Sequence, residues 1–287
     1  MKVIIGILIV IGCILLGYLI AGGHLDVLWQ PAEFIIIFGA SIGAFVISNP
    51  GEVLKSAPGA LGAAFKGPKY GKKDFLEMLS LLYILIKLIK NKGTVILDSH
   101  IDNPKESPIF QNYPLFMANH RAQEFLCDYL RMMTMGSDNP HQMDDIMEKE
   151  IEKAEHEFHS IVSAFQNMAD GMPALGIVAA VLGVIHTMGS ISQPPEILGK
   201  LIGAALVGTF AGVLLAYGFI GPLSQAIKAS YDAEIAYLNC LRSLILAYLN
   251  GYAPLIAVEY ARKTIDEHHR PSFVELEQVV SQIPDPS

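Results

Sequence analysis

Four long stretches without a single Asp, Glu, Lys or Arg restrict this chain more than any other feature: Val3–Gly23, Phe34–Gly51, Gly171–Pro195 and Leu201–Ile227. Each is about 18 to 27 residues long, and roughly 20 apolar residues carry a helix across the hydrocarbon core of a bilayer. Lipid offers the backbone no hydrogen-bond partner, so segments of this kind are expected to be helices. The first stretch, with Lys2 before it and Ala21-Gly22-Gly23 after it, also fits a cleaved signal peptide. Its length and the second stretch close behind favour a retained span. The rest of the composition agrees: 52% of the 287 residues are hydrophobic and only 17% charged, an apolar excess for a soluble domain. A net charge of −8 speaks against a nucleic-acid binder, which needs a basic face for phosphates.

Charge placement orients the spans. Of the 20 Lys and Arg, only Lys2 and Lys200 lie outside two segments, Glu52–Asp170 and the tail after Ile227. The positive-inside rule puts both segments, and therefore both termini, in the cytoplasm. The expected organisation is an all-α integral membrane protein of four transmembrane helices with a large helical cytoplasmic domain. Residues 1–51 hold the first two spans and a short periplasmic loop, and 52–170 the cytoplasmic domain. Residues 171–227 hold the third and fourth spans, and 228–287 a helical cytoplasmic tail. Cys13, Cys127 and Cys240 have no partner spacing for zinc or redox chemistry and are expected as free thiols.

Within the polar segments the periodicity is helical. Phe75, Met78, Leu79, Leu82, Ile86 and Ile89 predict a helix over Asp74–Lys90 that Gly93 ends. Another runs through Phe125, Tyr129, Leu130 and Met133 to Gly136. Asp144–Phe165 is amphipathic and leads straight into the third span, and the fourth is expected to continue through Tyr237, Leu241 and Leu249. Together these extensions could form a stalk. No strand alternation, phosphate loop or nucleophile elbow is present, so neither an enzyme nor a cofactor is expected.

Small residues crowd the last two spans: Gly176, Ala179, Ala180 and Gly183 in the third, and Ala205, Gly208, Ala211 and Gly212 in the fourth. Such residues let helices approach closely in lipid. No ionisable carboxyl or base lies mid-span, whereas membrane proton relays use such groups; a conductor built on these spans needs a partner's acid. Thr209 is the most polar residue near mid-membrane, and its hydroxyl either lines a water path or, the favoured reading, bonds back to its own helix. Pro173 reads as a helix-start proline, and Pro222, after a long uninterrupted pattern, as a kink. His186 reads as a packed polar residue. The spacing of Glu152, His156 and His159 would suit a metal, but a solvated face is the simpler reading, as for His268-His269.

Several runs resemble the MotA family of flagellar motor stator subunits: Ala205-Leu206-Val207-Gly208-Thr209-Phe210-Ala211-Gly212 followed by Pro222, Gly171 through Val181, Asn250-Gly251-Tyr252-Ala253-Pro254, Gly22-Gly23, Gln30-Pro31-Ala32-Glu33 and Arg270-Pro271-Ser272-Phe273. The resemblance covers nearly the whole chain. It implies a homo-oligomeric ring, a pentamer, around a dimer of a MotB-like subunit that supplies a membrane aspartate and the peptidoglycan anchor. It also implies proton flow along that boundary, and torque on the rotor protein FliG at the bacterial inner membrane. Residue by residue, it implies coupling roles for Pro173 and Pro222 and channel-lining roles for Thr209, Ala180, Gly176 and Gly212. Lys90 and Asp98 fall at rotor-facing positions where the family often carries Arg and Glu. Sodium-driven relatives have a threonine in place of Ala180, so a proton motor is expected. The alternatives are an energiser of the ExbB/TolQ type, which typically has three spans, and a non-conducting membrane scaffold.

Overall fold

The computed structural model describes residues 2–283. In chain order the helices are α1 (Lys2–Ile20), the single turn α2 (Leu25–Leu28), α3 (Pro31–Ser48), α4 (Gly51–Lys66), α5 (Lys72–Lys92), the short α6 (Asp98–Ile101) and α7 (Pro114–Met117), α8 (His120–Thr134), α9 (Pro140–Met188), α10 (Pro195–Val213), α11 (Gly221–Leu249), α12 (Pro254–Arg262) and α13 (Phe273–Ser281). No strand occurs among the described residues, and four helical stretches are long and apolar enough to span a membrane. The all-α membrane architecture read from the sequence is the one observed. So are the continuous helix entering the third span, the single α9 of 49 residues, and the extension of the fourth to Leu249.

The third span ends at Met188 rather than Pro195 and the fourth begins at Pro195 rather than Leu201, and both boundaries of the second span differ from the sequence reading because of proline. The second span starts at Pro31 rather than Phe34. Proline at the first helical position has its φ preset and gives up a donor that would have been unpaired anyway, and Pro31 occupies that place in α3. Glu33 therefore belongs to the first turn of the span and not to the loop before it. At the other end Asn49 precedes Pro50 and is extended (φ −120°, ψ 142°), as the pre-proline clash demands, so the span stops at Ser48 and a separate helix, α4, follows.

The chain divides into two compact units, Met1–Gly67 with Glu157–Ser230 and Pro68–His156 with Tyr231–Ser287; α9 and α11 contribute to both. In the first, α1 packs against α4, and α10 against α2 and α3. No residue of α1 is buried, and α4 turns an alanine face, Ala57, Ala60 and Ala64, inward. An exposed apolar helix of this kind is stable in lipid, not in water.

The second unit is built around α5, which is apolar on nearly every side. Met78, Leu79, Leu81 and Leu85 are wholly buried, as expected of a helix enclosed by others. It contacts α7, α12 and α13. Gly93 ends it at φ +82°, a left-handed cap that only glycine adopts without strain. Tyr70 stacks on Tyr237 with ring centroids 4.4 Å apart. The Tyr70 hydroxyl donates to Glu234 (2.7 Å) and accepts from Asn119 (2.6 Å). Cys127 and Cys240 are free and buried, and burial pushes each thiol up to about 12, so both stay protonated and inert at neutral pH.

Two motifs that read as family markers turn out to be structural. In Asn250-Gly251-Tyr252-Ala253-Pro254, Gly251 takes φ +84° to turn the chain, and Pro254 starts α12. In Arg270-Pro271-Ser272-Phe273, Ser272 and Glu275 form a reciprocal cap on α13, and Lys72 pairs with Glu275 at 2.7 Å. The carbonyl of Pro271 accepts from buried Arg262 at 2.7 Å, and Arg262 also donates to both oxygens of Glu259 at 2.6 Å. These bonds hold the Glu259 carboxyl below the usual carboxylate range. A depressed carboxyl adds stability that is present above its unfolded value and is lost as pH falls through the folded one. Arg262→Ala removes the guanidinium from a buried pair and is expected to destabilise this unit by roughly 3–5 kcal/mol, read as a lower melting temperature of the purified protein.

Candidate functional site: a glycine seam between the last two spans

The third and fourth spans meet backbone to backbone. A β-carbon placed on Gly212 would lie 2.8 Å from the Cα of Gly176 and 2.8 Å from the carbonyl oxygen of Met172. One placed on Gly176 would lie 2.8 Å from the carbonyl of Gly208. Further along, a β-carbon on Gly208 would sit 3.0 Å from the amide nitrogen of Ala180, and one on Gly183 would sit 2.8 Å from the Ala205 methyl. No side chain fits at these positions. In lipid, where burying apolar surface gains little, this intimacy of van der Waals contact is what holds helices together.

Span α3 lies along the same seam. Ile37 is wholly buried in a cluster with Met172, Ala179, Ala211, Leu215 and Ala216. One turn away on either side of Ile37 are Glu33 (8% exposed) and Ser41 (2% exposed). The Glu33 Oε2 and the Ser41 hydroxyl have no hydrogen-bond partner. The Glu33 carboxylate approaches both glycine-bearing helices: its Oε1 is 3.3 Å from where a β-carbon of Gly183 would be, and its Oε2 is 2.8 Å from that of Gly208. Sequence reasoning missed this residue because it set Glu33 in the loop. The available signals were Pro31 two positions earlier, which starts the helix, and the four-residue spacing of Glu33, Ile37 and Ser41, which puts them on one face.

Two further expectations are corrected. Thr209 is half-buried, and its hydroxyl does not bond back to its own helix, unlike Thr187, whose hydroxyl donates to the Gly183 carbonyl at 2.8 Å. Pro173 does not start a helix; it sits inside α9, where it removes the donor that would have met the Ala169 carbonyl. Pro222 does fall at an irregularity. Between α10 and α11 the chain makes a wider, π-type turn over Leu214–Ile220, and the Gly221 amide reaches back five residues to the Ala216 carbonyl. A proline ring crowds the carbonyl four residues before it, and shifting the bonding pattern outward relieves that crowding. Such insertions recur where helices do work.

The seam thus brings together Gly176 with Gly212, and Ala180 with the glycine next to Thr209. His186 is exposed rather than packed. Lys90 and Asp98 belong to the other unit: Lys90 is in the last turn of α5 and Asp98 opens α6, both are exposed, and the turn Thr94–Leu97 lies between them.

Family models match over two regions, Motility protein A N-terminal at residues 4–93 and the MotA/TolQ/ExbB proton channel family at residues 117–239. The Motility protein A of Salmonella typhimurium is 42% identical over 287 residues, covering all of this chain and 97% of the relative. This chain belongs to the MotA family. Motility protein A of Escherichia coli is likewise 42% identical, over 100% and 97% of the two chains. A chain of the C. jejuni MotAB structure shares the fold, with a TM-score of 0.79 at 19% identity over 95% of this chain and 98% of that one. A full-length match to Motility protein A, including the N-terminal family model at residues 4–93, sets aside the ExbB/TolQ alternative.

If backbone contact holds the seam, bulk there must be costly and bulk elsewhere harmless. Gly212→Val is expected to cost at least about 1–3 kcal/mol by overpacking and to reduce the folded protein recovered in detergent. Gly199→Ala, in the same helix with nothing within 4 Å, is expected to leave recovery unchanged or raised, as read by size-exclusion chromatography.

Proposed function

We propose that this subunit forms, with a MotB-like partner, a proton channel in the bacterial inner membrane that drives the flagellar rotor. Several copies, five in this reading, ring a partner dimer, with both termini of each copy in the cytoplasm. The observation that carries the reading is the chemistry of the α9–α10 seam. Gly176, Ala180, Thr209 and Gly212 make a close-packed wall with one unbonded hydroxyl, and no mid-span residue among them can carry a proton. A wall without its own mid-membrane acid conducts only when a partner's aspartate stands against it.

In this mechanism each proton falling through the membrane potential delivers about 2.3 kcal/mol per 100 mV. Protonation of the partner's aspartate removes a charge and so changes its fit to the wall. Pro173 and the wide turn before Pro222 are weak points in otherwise continuous helices, suited to convert that change into a bend. The second unit transmits it to the rotor protein FliG, where exposed Lys90 and Asp98 offer one charge of each sign. Ala180 brings only a methyl group beside the Gly208–Thr209 step. A sodium ion, needing several oxygens at once, finds one fewer here than a threonine would give, whereas a proton needs only a carboxylate and water.

The test is swimming in a strain that lacks its own stator subunit, supplied with this gene and its MotB-like partner. Pro173→Ala and Pro222→Ala are expected to abolish rotation while membrane assembly persists; normal swimming by both would refute the coupling role. Lys90→Glu is expected to lower torque in a tethered-cell assay, with recovery when an opposing rotor charge is reversed. Rotation that follows sodium after the proton gradient is collapsed would contradict the choice of ion.

A further inference from the structure

The seam holds one carboxyl that the mechanism above does not use. Glu33 enters the bundle from the first turn of α3, nine-tenths buried, and its Oε2 has no donor. Acids in the first turn of a helix ordinarily lean outward toward water and the helix's free amides. This one instead lies against the two glycines, Gly183 and Gly208, where a side chain on either would collide with it. The space it fills exists because those positions lack β-carbons. Two turns further along the same face, Ser41 is a second buried polar group without a partner, so the side of α3 that meets the seam carries a sparse polar stripe through an apolar span.

A carboxylate oxygen buried without counter-charge or donor disfavours the ionised form in such surroundings. The elements packed around this part of α3 present His24 and Asp26 at α2, His186 on α9, and Glu196 and Lys200 on α10; all five are exposed, and none bonds to Glu33 among the described residues. The Gly183 carbonyl already accepts from Thr187, and no group of carboxylates, histidines or cysteines able to hold a metal occurs among the described residues. With so few oxygens on hand, the ligand that fits is a proton rather than a metal cation.

We propose that Glu33 is a proton-exchanging site in the subunit's own wall, holding a proton while α3 is closed on the α9–α10 seam and releasing it when water reaches the carboxyl. It deepens the stator reading and rests on it, placing a second station upstream of the partner's aspartate, at the end of the span next to the α2–α3 loop. Glu33 is then a positioning and relay residue for proton entry, and Ser41, two turns deeper on the same face, a candidate to bond a water further along the seam.

The intact complex with the MotB-like partner, in native membranes, is treated with dicyclohexylcarbodiimide, which adds to protonated carboxyls, and Glu33 is read by peptide mass spectrometry. Labelling at Glu33 is expected, falling about tenfold per pH unit once the group titrates, and absent in Glu33→Gln. In cells, Glu33→Gln is expected to assemble normally but to lose speed several-fold as external pH rises, with Glu33→Asp keeping the wild-type profile. No labelling at any pH, a wild-type pH profile in Glu33→Gln, or failure of both variants to assemble would each overturn the proposal. Labelling at Glu33 in a complex that drives no rotation would support the site and count against the stator reading instead.

Discussion

Contact between the backbones of Gly176 and Gly212 is the constraint from which the membrane part follows. A bilayer removes the usual reason for helices to associate, since lipid tails solvate an apolar side chain as well as another helix does. What remains is dispersion, which decays steeply with distance. Spans α9 and α10 exploit it by discarding side chains along one line, so that Gly176, Gly208 and Gly212 come within contact of the opposing main chain. Once that line is fixed, α3 can lay Ile37 into the cluster beside it. The outward faces stay apolar and exposed, as at Ile177, Leu206 and Phe210, ready for lipid or for other subunits.

A seam this tight has little compliance, and in the proposed mechanism motion is taken up elsewhere. The helices loosen at Pro173, inside α9, and at Leu214–Ile220, where the bonding pattern widens ahead of Pro222. Both places lie at the same end of the spans, toward the polar segments. The second unit, by contrast, is a water-soluble kind of fold: a buried apolar helix, stacked tyrosines, a paired arginine and closed caps. Lys90 and Asp98 are exposed at its surface, where the proposed rotor contact would lie.

Much of this was legible in the sequence, for identifiable reasons. Uncharged length gives spans, and Gly93 and Gly136 are local punctuation whose effect needs no tertiary context. The helix through Phe75 to Ile89 follows from its periodicity alone. Harder to read were features set by a partner segment. Which glycines of the third span meet which of the fourth depends on register between helices. The wide turn reflects a competition between Pro222 and the carbonyls before it, and leaves no mark in composition. Thr209 keeps its hydroxyl free where Thr187, the same residue type, bonds back, and only packing separates the two. Glu33 was misplaced by three residues at a boundary, enough to turn a loop acid into a buried one.

Whether this wall conducts by itself decides between a seam that borrows an acid and a complete channel. Reconstituting the purified subunit in lipid vesicles under an imposed potential, with and without the MotB-like partner, and following internal pH, puts that to measurement. Vesicles with the subunit alone should stay tight, and those with both proteins should acidify at a rate set by the potential. Selective proton uptake by the subunit alone, equal to that of the pair, would contradict a seam that borrows its mid-membrane acid.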